Sequence, residues 1–134
     1  NETSMENLNR FQFRVWDKKE KKMRASHNFL IDFFGDIYWQ YGYEYPKLLD
    51  QDEIILMQFT GIPDKNKKEI YEGDIVIWGI GTQEERLKGK RGEVKWCDFH
   101  TGYELSCCDT HKTIGEYLDI EIIGNIYEHP LLLK

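Results

Sequence analysis

Short runs in which apolar and polar positions alternate recur along the chain and predict strands. In residues 11–16, the side chains of Phe11, Phe13 and Val15 follow the two-residue period of a half-buried strand. The charged run 17–22 then turns the chain toward Met23. This pattern predicts a first β-hairpin.

The aromatic stretch 28–45 shows no clean period, because its apolar residues follow one another too closely. Gly35 divides it, so we expect two strands joined at that turn, with a short helix followed by a strand as the alternative. Residues 54–59 predict a buried strand that ends at Gly61, and Pro63 begins a turn.

The second half of the chain alternates more regularly. A turn at 72–74 precedes an apolar strand at 75–78, and a long loop at 79–92 follows it. Two further strands are predicted at 93–99 and 103–107.

The last predicted strand covers 119–127, with Gly124 marking a bulge or turn, and a short helix at 113–118 is compatible with the pattern. Six to eight short strands with Gly and Asn turns are typical of a small, partly open barrel. We therefore predict a mainly β fold with a minor α contribution and at most one or two short helices.

The length of 134 residues fits one domain, which we place at 11–134. Residues 1–10 lack a sustained pattern and are expected to form a flexible tail. Within it, Met5 is the expected natural start and 1–4 the expected remnant of an expression vector.

Composition narrows the class of protein. The chain is 40% hydrophobic and 14% aromatic, which is enough for a core, and no apolar run reaches the roughly 18–20 residues of a membrane helix. Three cysteines, two of them adjacent at Cys107 and Cys108, are not a disulfide framework. We therefore expect a soluble, cytoplasmic protein without membrane contact.

The net charge of −6 argues against binding duplex nucleic acid by bulk charge. Basic residues nevertheless cluster in three short runs, at 18–24, 65–68 and 86–91. The rest of the chain is correspondingly acidic, so we expect a patchy surface.

Residues 59–76, FTGIPDKNKKEIYEGDIV, resemble the hallmark of the YopX family of phages and prophages. The segments FRVWDK at 13–18, GEV at 92–94 and IGNIYE at 123–128 agree with it in the same order. The resemblance covers about residues 11–133. It implies a β-rich pseudobarrel somewhat like an oligonucleotide-binding fold, encoded by temperate phages, and it carries over no catalytic residue.

We interpret the signature residues as structural. Gly73 permits the positive φ of a tight turn, and Asp74 can accept a hydrogen bond from the backbone; a ligand-gripping Asp74 is the alternative. The set comprises Gly61, Asp64, Tyr71, Gly73, Asp74, Gly124 and Asn125. Neighbouring carboxylates form no recognisable catalytic motif, so we expect neither an enzyme nor a cofactor.

Two Cys-x2-His pairs suggest a zinc-stabilised domain, because two thiolates and two imidazoles suit tetrahedral zinc. The pairs are Cys97 with His100 and Cys108 with His111. On one extended strand, however, an offset of three places two side chains on opposite faces. Unrelated core thiols and surface imidazoles are therefore the favoured interpretation, with zinc kept as an alternative.

Single-stranded nucleic acid is a further alternative, because aromatic strands beside basic loops can stack bases and follow phosphates. The candidate residues are Arg86, Lys88, Lys90, Arg91, Trp78 and Trp96.

Our first hypothesis is a non-enzymatic phage accessory protein that binds other proteins and forms a homo-oligomer. Aromatic side chains are common anchors of protein interfaces, and Phe33, Trp39, Tyr41 and Tyr43 are the candidates for such a patch, with a place in the core as the alternative for the same residues.

Overall fold

The computed structural model describes residues 11–24, 28–106 and 112–133. Within these ranges it contains eleven strands, one short α-helix and two 3-10 segments. The strands include a curled half-barrel sheet. The prediction of a mainly β fold with a partly open barrel and few short helices is confirmed.

Internal packing divides the chain into two compact units. Phe13–Met57 forms the first, which we call the hairpin unit, and Asn1–Gln12 together with Gln58–Lys134 forms the second, the sheet unit. The single domain at 11–134 stays a prediction, and the predicted tail at 1–10 lies outside the described residues. The helical segments that are described are too short to cross a lipid bilayer.

The strands of the hairpin unit are β1 (Phe13–Asp17), β2 (Lys22–Arg24), β3 (Phe29–Ile31), β4 (Ile37–Trp39), β5 (Lys47–Leu48) and the start of β6 (Ile54–Pro63). β1 and β2 pair antiparallel with Val15 opposite Arg24, which confirms the first hairpin. Asp17 closes its turn by accepting hydrogen bonds from the N–H groups of Lys19 and Glu20.

A second sheet in the same unit has the order β3-β4-β5. β3 and β4 form the hairpin predicted for 28–45, and Gly35 takes a φ of +87° in its turn. Val15, Ile37 and Ile54 form the buried cluster of this unit. The short strand β5 was not predicted, because two residues are too few to show a period.

The sheet unit contains the end of β6, then β7 (Glu69–Tyr71), β8 (Asp74–Ile77), α1 (Gln83–Leu87), β9 (Gly92–Cys97), β10 (Gly102–Leu105), a 3-10 turn (Ile114–Glu116), β11 (Glu121–Asn125) and a second 3-10 turn (Pro130–Leu133). Four of its strands pair in the order β10-β9-β8-β11. β8 lies inside this sheet and all four of its residues are buried. Val76 of β8 packs with Val94 and Ile114 in the hydrophobic core of this unit.

Several element boundaries differ from prediction. β6 continues to Pro63 instead of ending at Gly61, whose φ of +87° accompanies a register shift against β7. The predicted loop at 79–92 contains α1, which begins at a Thr82 capping box. The bulge predicted at Gly124 coincides with a register shift between Ile122 and Gly124.

Candidate functional site

The turn between β3 and β4 holds two adjacent phenylalanines in solvent. Relative exposure is 107% for Phe33 and 92% for Phe34. Sequence analysis singled out Phe33 but missed Phe34, because the period of this stretch is not resolved. Large apolar side chains that are fully exposed side by side are unusual on a monomer surface and mark interaction sites.

Asp32 organises this turn through both of its carboxylate oxygens. Its Oδ1 accepts hydrogen bonds from the N–H groups of Phe34 at 2.9 Å and Asp36 at 3.0 Å. Its Oδ2 accepts a third from the hydroxyl of Tyr38 at 3.0 Å. The backbone N–H of Asp32 also donates to the carbonyl of Asp36, and its carbonyl accepts from the N–H of Gly35. These hydrogen bonds stabilise the turn from which both phenyl rings project into solvent.

The titration of Asp32 and Tyr38 reflects this arrangement. Desolvation alone would raise the pKa of Asp32, but the hydrogen bonds from Asp36, Tyr38 and Phe34 together lower it below its ordinary 3.8. The hydrogen bond to Asp32, followed by desolvation, raises the pKa of Tyr38 above 10.0. Near neutral pH, the pair is thus a carboxylate with a neutral phenol.

The other aromatic candidates lie at the opposite end of β4. Tyr41 and Tyr43 are exposed in the segment between β4 and β5, together with Tyr45, which sequence analysis missed. Trp39 is half-buried, and its ring meets Phe29 edge to face at 4.9 Å. The four predicted residues therefore do not form a single patch, because β4 separates Phe33 from the tyrosines.

The basic segment proposed to contact nucleic acid is largely engaged within the protein. Arg86 is buried: one guanidinium nitrogen donates to the carbonyl of Asp119 at 2.7 Å, and another lies 3.3 Å from a carboxylate oxygen of Glu121. The assignment of Arg86 to a surface site is therefore wrong. α1 turns this side chain inward, because it stands on the buried face of a helix that sequence analysis treated as a loop.

The remaining basic residues of this segment differ in their surroundings. Arg91 donates to the carbonyls of Leu87 and Leu132 at 3.0 and 3.2 Å, which holds it against the protein. Lys88 is exposed beside Glu84, 3.7 Å away, and Lys90 is exposed. Lys88 and Lys90 therefore provide little positive charge for binding phosphate groups, because Lys88 faces the carboxylate of Glu84.

The two candidate stacking tryptophans also differ. Trp78 is partly buried against the core and meets Tyr117 edge to face at 5.1 Å, so it is less available for base stacking. Trp96 is half-exposed, and its indole N–H donates to Asp98 at 2.8 Å. Its ring also meets Tyr103 edge to face at 5.1 Å, and of the two tryptophans it is the more exposed to solvent.

The predicted metal ligands are partly brought together. Cys97 Sγ and His100 Nδ1 are 3.4 Å apart, and Glu104 Oε2 lies 3.2 Å from the same nitrogen. The two ligands converge because β9 ends at Cys97, not at residue 99 as predicted, so His100 lies in a turn. Cys108 and His111 lie outside the described residues. Sequence analysis missed Glu104, whose place depends on strand register.

Asp64 connects three parts of the sheet unit. It is buried, and its Oδ1 accepts hydrogen bonds from the N–H groups of Asn66 at 2.8 Å and Lys68 at 2.9 Å. Its Oδ2 accepts another from the N–H of Ile122, at 3.1 Å. This carboxylate thus fixes both the β6–β7 turn and its position beside β11.

The other signature residues also make contacts within the fold. Asp74 accepts a hydrogen bond from the N–H of Tyr71 at 2.8 Å, across the turn in which Gly73 takes a φ of +85°. Asn125 accepts two, from the N–H groups of Tyr127 and Glu128. A Cβ added at Gly124 would lie 2.7 Å from atoms of His129 and Leu132.

The sequence model of one family, described as YopX protein, matches residues 12–134. No curated protein matches the chain. A solved structure of protein EF1440 from Enterococcus faecalis is similar, with 27% identity, a TM-score of 0.62, and coverage of 92% of this chain and 97% of that one.

The crystal structure of protein yopX from Bacillus subtilis shares the fold, with a TM-score of 0.62 and 24% identity over 91% of this chain and 97% of that one. The family match spans nearly the whole chain and includes the signature segment whose turns Asp64 and Asp74 hold. This chain belongs to the YopX family.

Proposed function

We propose that this YopX-family chain is a phage-encoded accessory protein that acts non-enzymatically in the host cytoplasm, by binding protein through the Phe33–Phe34 turn. Its first partner is a second copy of the chain. The observation that carries the proposal is the pair of fully exposed phenylalanines on a turn that Asp32 fixes. The phage origin rests on the family resemblance described above.

Preorganisation supports binding at this turn. Covering two phenyl side chains contributes about 3–6 kcal/mol, at the usual 1.5–3 kcal/mol per side chain. Association costs conformational entropy, because the interface becomes ordered. A turn already held by hydrogen bonds loses less conformational entropy on binding. A loop that displays the same side chains without Asp32 would bind more weakly.

The nucleic-acid alternative has weaker support. Arg86 is buried, Arg91 is bound to carbonyl groups, and the chain is acidic overall. A protein that follows single strands combines a cationic groove with several stacking aromatics. Of the candidates, Lys90 and Trp96 keep suitable positions, which is too small a set for that mode.

Affinity capture from a host that carries the prophage tests the proposal, with and without nuclease. We compare the wild-type protein with the double variant F33S/F34S and with Y43S/Y45S, which removes two equally exposed aromatics at the other end of β4. Protein binding predicts partners, including untagged copies of the chain, that survive nuclease and are lost only from F33S/F34S. Loss of all bound material on nuclease treatment would overturn it in favour of nucleic acid.

A further inference from the structure

The turn between β9 and β10 gathers three side chains of different chemistry. The ligand atoms of Cys97, His100 and Glu104 all lie within 4.8 Å of one another. Thiolate sulfur, imidazole nitrogen and carboxylate oxygen are the three donor types that zinc uses in proteins. The protein-binding proposal does not involve this cluster.

Strand register places two of the three side chains on one face. Cys97 pairs with Gly102 across the hairpin, and Glu104 is two residues further along β10. Residues in this diagonal relationship lie on the same side of a sheet and within reach of long side chains. Thr101 takes a φ of +49° and closes the turn that brings His100 back to that face.

Two of the three ligand-to-ligand distances match those around a tetrahedral ion. With bonds of about 2.3 Å to sulfur and about 2.0–2.1 Å to nitrogen and oxygen, tetrahedral angles separate sulfur from nitrogen by about 3.5 Å and nitrogen from oxygen by about 3.3 Å. The observed separations are 3.4 Å and 3.2 Å. Sγ and Oε2 lie within 4.8 Å of each other, a separation that ligation of one ion would set to about 3.5 Å.

The geometry differs from that of a cysteine–histidine catalytic pair. In such a pair the orienting carboxylate contacts the ring nitrogen opposite the one facing the nucleophile. Here Sγ of Cys97 and Oε2 of Glu104 both face Nδ1 of His100. The sulfur, the nitrogen and the oxygen therefore face one another, and when Nδ1 carries no proton its lone pair is available to a metal between them.

We infer that Cys97, His100 and Glu104 bind one zinc-class divalent ion, with Cys97 as thiolate and His100 binding through Nδ1. Three protein ligands leave a fourth position for water or another donor. The ion ties the end of β9 to β10 and to the turn between them. Because a metal bound only by the folded protein stabilises it, zinc raises the melting temperature.

Cobalt(II) and zinc titrations of the full chain test the inference, in a background where Cys107 and Cys108 are serine. Cys97 is then the only thiol, so a thiolate-to-cobalt charge-transfer band reports that residue alone. We expect one equivalent of cobalt, displacement by zinc, and a higher melting temperature with zinc. Because loss of even an outer-shell partner costs roughly 10–100-fold in affinity, Glu104→Gln should weaken zinc binding at least tenfold.

Matched variants separate ligation from folding. Glu93→Gln makes the same charge change on β9 beside Lys95, and it should retain wild-type affinity. Cys97→Ser should abolish the charge-transfer band, with tryptophan fluorescence confirming that the protein is folded. Absence of the band in the single-thiol protein, or equal zinc affinity in Glu104→Gln and Glu93→Gln, would overturn the inference.

Discussion

The hydroxyl of Tyr38 donates a 3.0 Å hydrogen bond to Oδ2 of Asp32. This hydrogen bond stabilises the turn that displays Phe33 and Phe34. Oδ1 of the same carboxylate binds two backbone N–H groups of that turn. Asp32 and Tyr38 therefore stabilise the backbone of a turn whose two phenylalanine side chains lie outside the core.

Acidification should loosen this turn. The pKa of Asp32 is lower in the folded protein than its ordinary 3.8, so its stabilising contribution is present above pH 3.8 and is lost as pH falls through the folded value. An NMR titration of the Phe34 and Asp36 amides should show a transition below pH 3.8. Asp32→Asn should lack that transition, and an unchanged titration in this variant would contradict the assignment.

Raising the pH should remove a stabilising contribution of Tyr103, whereas lowering the pH removes that of Asp32. Desolvation, and then the charge of Glu72 and a hydrogen bond to it, raise the pKa of Tyr103 to about 12 from 10.0. Its contribution is complete below pH 10 and is lost as pH rises through about 12. Denaturant unfolding between these values should show a steeper loss of stability in wild type than in Tyr103→Phe.

Removing Arg86 should strongly destabilise the sheet unit. Glu121 is buried against this guanidinium, with Gln83 as a further donor to its second oxygen. Breaking this buried pair leaves Glu121 with the partly exposed Lys65, 3.7 Å away, as its remaining cationic partner, so we expect Arg86→Ala to cost about 3 kcal/mol of unfolding free energy, the lower end for a broken buried pair. Lys88→Ala removes only the exposed partner of Glu84 and should cost under about 1 kcal/mol. Similar losses in the two variants would contradict this difference in burial.

Asp64 should be the most sensitive residue of the family signature. Asp64→Ala removes three partly buried hydrogen bonds that the carboxylate accepts from backbone N–H groups, and each hydrogen bond to a charged group contributes about 1.5–3 kcal/mol. We therefore expect a loss of about 3 kcal/mol or more in chemical denaturation. Asp50→Ala, which removes one hydrogen bond from an exposed turn, is the control and should change stability little. A stable Asp64→Ala protein would show that these bonds are replaced by water.

The sequence predicts those elements whose signals are local. The β1–β2 hairpin follows from alternation around a charged turn, and the β3–β4 hairpin from the glycine that divides a dense aromatic run. α1 was missed although Thr82 and Glu85 have the spacing of a capping box, because the helix has only five residues. β7 is shorter still, and its neighbouring lysines and turn residues conceal it.

The sites were less predictable because they depend on register and burial. The position of Glu104 beside His100 follows from the pairing of Cys97 with Gly102, which no local pattern encodes. The burial of Arg86 depends on Glu121, 35 residues away. Exposure of Phe33 and Phe34 likewise depends on which side of the sheet is covered, so composition alone could not separate them from the core.

The mass of the protein in solution tests the central claim most directly. We would measure it by light scattering over a concentration series for wild type, F33S/F34S and Y43S/Y45S. We expect wild type and Y43S/Y45S to exceed the 16.1 kDa of one chain as concentration rises, and F33S/F34S to remain at that mass. A wild-type protein that stays at 16.1 kDa, or an F33S/F34S protein that assembles equally well, would contradict self-association through the Phe33–Phe34 turn.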